Sequence, residues 1–467
     1  MIHVQKKAVI LLGSILALAL VLRLIALNQS FWLDEAINVS AARDLRLQTL
    51  LTQYTIGDFH PPLYHLLIWS WLQMLPANEI TARLPSVIFA LGTIVFAWMT
   101  ADTLREKNDR AHATAAIAAM LIATSGLHIY YSQEARMYAQ AAFFTTLTLF
   151  AFVKLKERRS KRRILLYLAS LVLLLLTDYQ PWLLLPLLLI HFPGLTSIGI
   201  LATAPWWPVL VKQVENGIST ASDYPAWGTL VGGLDLKAVL LVPVKFFVGR
   251  VSIDNNLVFT IALLLPAAAS VILVIKYLQA RQLKKVDLVG WLVFPLLLGA
   301  VISLKVPIFA YFRFLFILPI WYLVVSLSSL SLKRKARIAI VSILLATNLI
   351  SSFFYLTMPK FQRENWREAV AGMEGSDPKG TLVLIPNLAQ AAALNYYGAG
   401  RLRIEDRVSL KLTGTERQIF LIRYVAEIFD PGNELVEKLE TAGYRKVREL
   451  TFDGGLVIWQ YELGGRR

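Results

Sequence analysis

The 467-residue chain contains no cysteine. That excludes disulfides, a thiolate nucleophile and any zinc–thiolate centre, and it leaves the redox compartment unread. Charge is scarce too: 17% of residues are Asp, Glu, Lys or Arg, against about 25% in ordinary soluble domains. No Gly-rich phosphate loop, internal repeat or low-complexity tract stands out, and the isolated histidines His65, His128 and His191 lack metal-ligand spacing. These three are expected to serve packing or interface roles.

What is abundant is apolar surface. Hydrophobic residues make up 56% of the chain, and the mean hydropathy is +0.56, so most of the chain belongs in lipid. The net charge of +16 would suggest nucleic acid in a soluble protein. Here the cations sit in short loops between apolar runs, which is an orientation signal, and nucleic acid is set aside as a partner. Apolar runs fall near 8–27, 80–104, 111–130, 138–153, 164–178, 181–193, 195–211, 256–275, 288–304, 308–330 and 338–357. They predict about eleven transmembrane helices.

The loops holding Lys6 and Lys7; Arg105, Lys107 and Arg110; Lys154 to Arg163; Lys276 to Lys285; and Lys333 to Arg337 all fall on one side. By the positive-inside rule that side is cytoplasmic. The N-terminus is then cytoplasmic, in the cell (inner) membrane, and two longer segments, about 28–79 and 212–255, lie outside. Within the first, Ala41 to Tyr54 and Leu63 to Leu75 are expected as interfacial helices, with Trp69 and Trp71 at a suitable depth. Beyond Met358 the composition becomes that of a soluble domain. Strands are expected at Thr381 to Ile385, Gln418 to Tyr424 and Gly455 to Tyr461, and helices at Asn365 to Met373, Leu388 to Tyr397 and Asn433 to Thr441. The fold class is thus an α-helical polytopic membrane protein, residues 1–358, with a C-terminal α/β extracytoplasmic domain, residues 359–467, whose sheet is partly parallel.

Ionisable residues at span ends are costly and are candidate functional groups. On the outer side they collect at Trp32-Leu33-Asp34-Glu35, at Asp58-Phe59-His60-Pro61-Pro62-Leu63-Tyr64, at Ser132-Gln133-Glu134-Ala135-Arg136-Met137-Tyr138 and at Arg313. Structural ion pairs, Glu134 with Arg136 or Asp34 with Arg23, are the competing account. The Trp-Leu-Asp-Glu-Ala and His-Pro-Pro-Leu-Tyr motifs, Arg83-Leu84-Pro85 and Ser-Gln-Glu-Ala-Arg-Met-Tyr resemble the GT-C glycosyltransferases, most closely the bacterial family 39 group of protein-mannosyltransferase-like and aminoarabinose-transferase-like enzymes. The resemblance is strongest over residues 23–140, recurs at Tyr311-Phe312-Arg313 and Asn365-Trp366-Arg367, and is weak over 212–255. It implies a polyprenyl-monophosphate sugar donor, transfer with inversion, and an acidic base in the first outer loop.

Such chemistry needs a carboxylate to take the acceptor proton, expected to be Asp34. Adjacent helical side chains diverge by about 100°, so Glu35 is expected to position the base, pair with Arg23 or bind a metal. The leaving phosphate needs cations, and Arg136, Arg313 and His60 are the candidates. In the aminoarabinose-transferase branch a lysine precedes the proline where His60 stands. Glu134 is expected to orient Arg136; Tyr138 to bond donor or base; Asp58 and Tyr64 to contact substrate. Oxygen ligands at Asp34, Glu35 or Asp58 would suit Mg²⁺ or Mn²⁺, and the metal is left open. A lipid-linked sugar transporter or flippase, and a polysaccharide polymerase or ligase using a diphosphate donor, are the rival functions; sugar and acceptor are unread.

Overall fold

The computed structural model describes residues 2–105, 112–223, 232–279, 286–374 and 381–464. Lys107, Arg110, Arg281, Lys284, Lys285 and part of the second long segment therefore lie outside the described residues. Among those described, seven helices are long and apolar enough to cross a membrane, eight counting one bent pair, and two shorter apolar helices accompany them.

Helix α1, Ile2–Leu24, leads to α2, Leu33–Asp44, and α3, Pro62–Met74. The expected helix over Ala41 to Tyr54 is corrected. The chain is extended at Leu45 and Arg46 and turns helical again from Leu47 to Asp58, with a π-turn at Leu50–Tyr54, and Trp69 holds the break by donating its indole N–H to the Leu45 carbonyl at 3.0 Å. Helix α4, Glu79–Leu104, starts where the Asn78 side chain accepts the Thr81 N–H at 3.0 Å. Ser125 then splits one apolar run into α5, Ala113–Thr124, and α6, Gly126–Ser132, bent by 60°. Helix α7, Tyr138–Glu157, packs along α4, with Phe143 set against Gly92 and Phe89 and Phe96 meeting Phe143, Phe144 and Phe150.

The lysine- and arginine-rich turn follows at the far end, with Ser160 capping α8, Lys161–Leu175. Helix α8 returns to the site end, where Leu63 N–H donates to Leu176 O; α9, Leu185–His191, runs back to set His191 against Phe152; and α10, Pro193–Leu201, and α11, Trp207–Asp223, return towards the site end. There Gln213 of α11 donates to the Thr55 and His60 carbonyls at 2.7 and 2.9 Å. Helix α12, Leu236–Val248, is capped by Asp235. The bundle ends with α13, Asn256–Gln279; α14, Leu288–Ser303; α15, Leu318–Ser329; and α16, Arg334–Thr357.

Beyond it lie α17, Trp366–Glu374, and a five-stranded sheet ordered β2-β1-β3-β5-β4. Its strands are β1, Thr381–Leu384; β2, Arg403–Glu405; β3, Gln418–Ile422; β4, Tyr444–Phe452; and β5, Leu456–Leu463. Helices α18, Ala392–Gly398, and α19, Glu434–Thr441, complete it. β1 is parallel to β2 and β3, whereas β5 runs antiparallel to β3 and β4. β2 and β4 were absent from the sequence reading. Both are edge strands, and β4 carries Arg445, Lys446, Arg448 and Glu449 without an apolar alternation. The alternation of β1 and β3 gives the sheet two apolar faces. Leu382, Leu384, Ile419 and Leu421 pack on Leu435 and Leu439 of α19, while Val383, Phe420 and Ile422 join the core that continues into the helical bundle.

Candidate active site

Asp34 and Glu35 occupy the first turn of α2 and face different surroundings. The N-cap position is Trp32, and no side chain caps the helix, so Asp34 is not a cap. Its side chain is 37% exposed and its Oδ2 lies 3.7 Å from an Arg136 nitrogen. Burial, with help from the Asp58 and Glu35 charges, raises its pKa above the ordinary carboxylate value despite the opposing pull of Arg136 and His60. Asp34 is thus an accessible carboxylate with more than ordinary affinity for a proton.

Glu35 is fully buried. It accepts from Arg83 Nε at 2.8 Å and a second Arg83 nitrogen at 2.5 Å, and from the Ala135 N–H at 2.7 Å, while Arg363 Nε stands 3.4 Å away. Such a bidentate pair is a brace. The expected pair of Glu35 with Arg23 is corrected, since its partner is Arg83. Arg23 instead contacts His128 Nδ1 at 2.8 Å and donates to the Ala19, Ile122 and Ala123 carbonyls. That arrangement keeps His128 in packing, whereas His191 bonds only within its own helix, to Leu187 O at 3.0 Å.

Arg136 projects from the turn between α6 and α7 towards two carboxylates, Asp34 and, at 3.1 Å, Asp58. Asp58 also meets His60 Nδ1 at 2.8 Å and His65 Nε2 at 3.1 Å. Burial would raise the Asp58 pKa, but Arg136 and His60 outweigh it and hold that carboxyl well below the usual range. Arg136, expected as a phosphate cation, thus has two carboxylates upon it, Asp58 closer than Asp34. His65, assigned to packing from sequence, belongs to this cluster. Tyr64 stands beside it, ring centroids 5.8 Å apart, with its buried hydroxyl unpartnered.

Glu134 does not orient Arg136 either. Its carboxylate pairs with Arg363 at 3.1 Å, and burial lifts its pKa to about 7. Arg363, from the linker before α17, stacks 4.2 Å over the Tyr130 ring and so ties the Glu134 turn to the C-terminal domain. The Arg83-Leu84-Pro85 motif carried a signal for one end of this brace; at the other end the signal was Asn365-Trp366-Arg367, two residues beyond Arg363, which did not single out Arg363 itself.

Two cations gather at Tyr311, and a third, Arg313, stands near Tyr138. Arg250 donates to the Tyr311 hydroxyl at 2.6 Å and lies 4.9 Å from the Tyr130 ring centroid. Lys245 stands 6.0 Å from the Tyr311 ring, and Arg313 bonds the Pro307 carbonyl at 3.1 Å. None of the three has a carboxylate within ion-pair distance among the described residues. Burial and the Arg250 charge bring Lys245 down to about 8. Tyr138 lies within electrostatic range of Asp34, Arg136 and Arg313, and Arg313 also lies within range of Asp178. Sequence reasoning missed Lys245 and Arg250; the available signal was two cations in a segment assigned to the cation-poor outer side. On α12 beside Lys245, Pro243 and Phe247 line an apolar cavity of about 290 Å³ with Val271, Val274, Ile275 and Trp321.

Among the described residues no group of three or more His, Asp or Glu side chains is arranged to hold a metal ion. Asp34 and Asp58 share Arg136, Glu35 is turned to Arg83, and His60 and His65 meet one Asp58 oxygen as hydrogen-bonding partners.

Neither a protein-family profile nor a curated protein sequence matches the chain. Solved structures do match it in fold. ArnT from Cupriavidus metallidurans, bound to undecaprenyl phosphate, superposes with a TM-score of 0.58 at 12% identity, over 98% of this chain and 99% of that one. The same protein in its apo state gives 0.54 at 11%, over 99% of each chain. The Archaeoglobus fulgidus oligosaccharyltransferase with Zn and sulfate gives 0.52 at 13%, over 96% of this chain and 73% of that one. With its apolar helices and the added C-terminal sheet, the chain has the fold of the GT-C membrane glycosyltransferases.

Proposed function

We propose that this protein is an inverting glycosyltransferase. It moves a sugar from a polyprenyl-monophosphate donor to a hydroxyl acceptor on the outer face of the cell membrane. One observation carries the reading: the accessible, proton-affine carboxylate of Asp34 shares Tyr138 with Arg313, while Arg250 and Lys245 gather at Tyr311, and none of these three cations is ion-paired among the described residues. Asp34 takes the proton as the acceptor oxygen attacks the anomeric carbon and the bond to phosphate oxygen breaks. The phosphate departs as an anion stabilised by Arg313, Arg250 and Lys245, with no proton donor required. Arg136, fixed by Asp58, holds Asp34 in place. The apolar cavity on α12 offers a berth for the first prenyl units. Similar folds with undecaprenyl phosphate in ArnT and a dolichol-phosphate in archaeal AglB agree with this lipid class.

Protein in liposomes, given radiolabelled undecaprenyl-phosphate sugars and separate lipid, peptide and glycan acceptors, should move label into an acceptor fraction. Label that crosses the bilayer still attached to lipid would make the protein a flippase, and use of diphosphate-linked donors alone would make it a polymerase or ligase.

A further inference from the structure

Among the described residues of α11 one side chain is buried, and it is polar: Gln213 is 2% exposed. A helix whose buried group is an amide is placed by hydrogen bonds and not by apolar packing. Gln213 Nε2 donates to the Thr55 and His60 carbonyls at 2.7 and 2.9 Å, and its Oε1 accepts from the Tyr179 hydroxyl at 2.5 Å. Carbonyls only accept, so these contacts fix the orientation of the amide and use both of its N–H groups. Tyr179 is held in turn by the Trp206 indole N–H at 2.8 Å.

Residues 213, 216 and 217 share one helix face, and all three meet the turn 55–60. Asn216 Nδ2 donates to the Ile56 carbonyl at 3.4 Å, and the Phe59 ring stands 3.4 Å from where a Cβ on Gly217 would be. The turn needs such support, because Phe59 is left-handed at φ +60°, a conformation disfavoured for a side chain of this size. Asp58 lies between the two carbonyls that Gln213 bridges. Its Oδ1 meets Arg136 at 3.1 Å, whereas the same guanidinium stands 3.7 Å from Asp34 Oδ2.

Resting on the glycosyltransferase reading, we infer that Gln213 is a positioning residue for Asp34, acting through Asp58 and Arg136. The amide bridge fixes Asp58, and Asp58 keeps the guanidinium at hydrogen-bond distance from itself and short of Asp34. Without the bridge the turn relaxes, Asp58 withdraws and Arg136 closes on Asp34. A carboxylate engaged by a guanidinium is a poorer proton acceptor, so the chemical step slows. None of these links is one of the cations assigned to the donor phosphate.

The test uses the full-length protein in liposomes with the labelled undecaprenyl-phosphate sugar and the acceptor that it turns over. Gln213→Met, of similar length but with no N–H to donate, should lower kcat about 10- to 100-fold while donor KM stays within about two-fold. Tyr179→Phe, which frees one side of the amide, should lower kcat by less in the same way, and serves if Gln213→Met does not fold. In an Asp58→Asn background, where Arg136 has already lost its charged anchor, Gln213→Met should lower kcat less than about three-fold further. An unchanged kcat in folded protein, a rise in donor KM in place of a fall in kcat, or the same loss in both backgrounds would overturn the assignment. Wild-type protein that passes label to no acceptor class would sink the glycosyltransferase reading itself; transfer that both variants leave intact sinks this proposal alone.

Discussion

Asp34 carries opposite consequences for activity and for stability. Because its folded-state pKa is raised, the base form is lost as pH falls through a value above the ordinary carboxylate, and transfer should show an acid limb above about pH 4. Asp34→Asn should remove that limb and lower kcat by roughly 10²–10⁴-fold. A raised carboxylate also disfavours the native state at neutral pH, so the same variant should melt no lower than wild type; a lower midpoint would count against the assigned shift. Lys245 sets the other limb. It is charged below about 8, so donor KM should climb as pH passes that value. Lys245→Arg, charged throughout, should flatten the climb, and an unchanged profile would remove Lys245 from the phosphate site. The sequence showed that carboxylates and cations gather at one rim, and Asp34 stood out there. It could not show which charges were neutralised, because Arg136 and Glu35 find their partners, Asp58 and Arg83, across 78 and 48 residues.

Among elements, α2 and the turn between α6 and α7 depend on the Glu35–Arg83–Arg363–Glu134 brace, whose side chains are at most 1% exposed. Arg83→Met leaves Glu35 short of its bidentate partner and should cost about 3–5 kcal/mol, read as a large drop in the thermal midpoint in detergent. The double variant Arg83→Met with Glu35→Leu should recover much of it, since neither charge is then stranded. On α12 the following residue, Gly249, sits at φ +59° against the Gly126 backbone, which brings Arg250 up to Tyr130. Gly249→Ala should weaken undecaprenyl phosphate binding by moving that cation; binding equal to wild type would show that Arg250 does not hold the phosphate. Helices were legible from apolar runs because each must cover lipid or a neighbour. The edge strands β2 and β4 were not, since an exposed edge needs no apolar period.

At the scale of the whole molecule, the lysine- and arginine-rich turn between α7 and α8 and the C-terminal domain lie at opposite ends of the bundle. The absence of cysteine makes the proposed orientation simple to test. A membrane-impermeant maleimide should label Val408→Cys, at a position 86% exposed, in intact cells, and should label Arg158→Cys only after the membrane is opened; the reverse pattern would put the site on the cytoplasmic face. The C-terminal domain shares one apolar core with the bundle and supplies Arg363 to the brace, contacts its composition did not disclose. Sequence by itself determined the membrane architecture, the order of the spans and the rim where charge collects, because lipid imposes its demands on every consecutive residue. Only the tertiary structure decided which carboxylate is open, which cations are free and what the last hundred residues touch, because pairing and desolvation are properties of neighbours in space, which a linear order of residues does not contain.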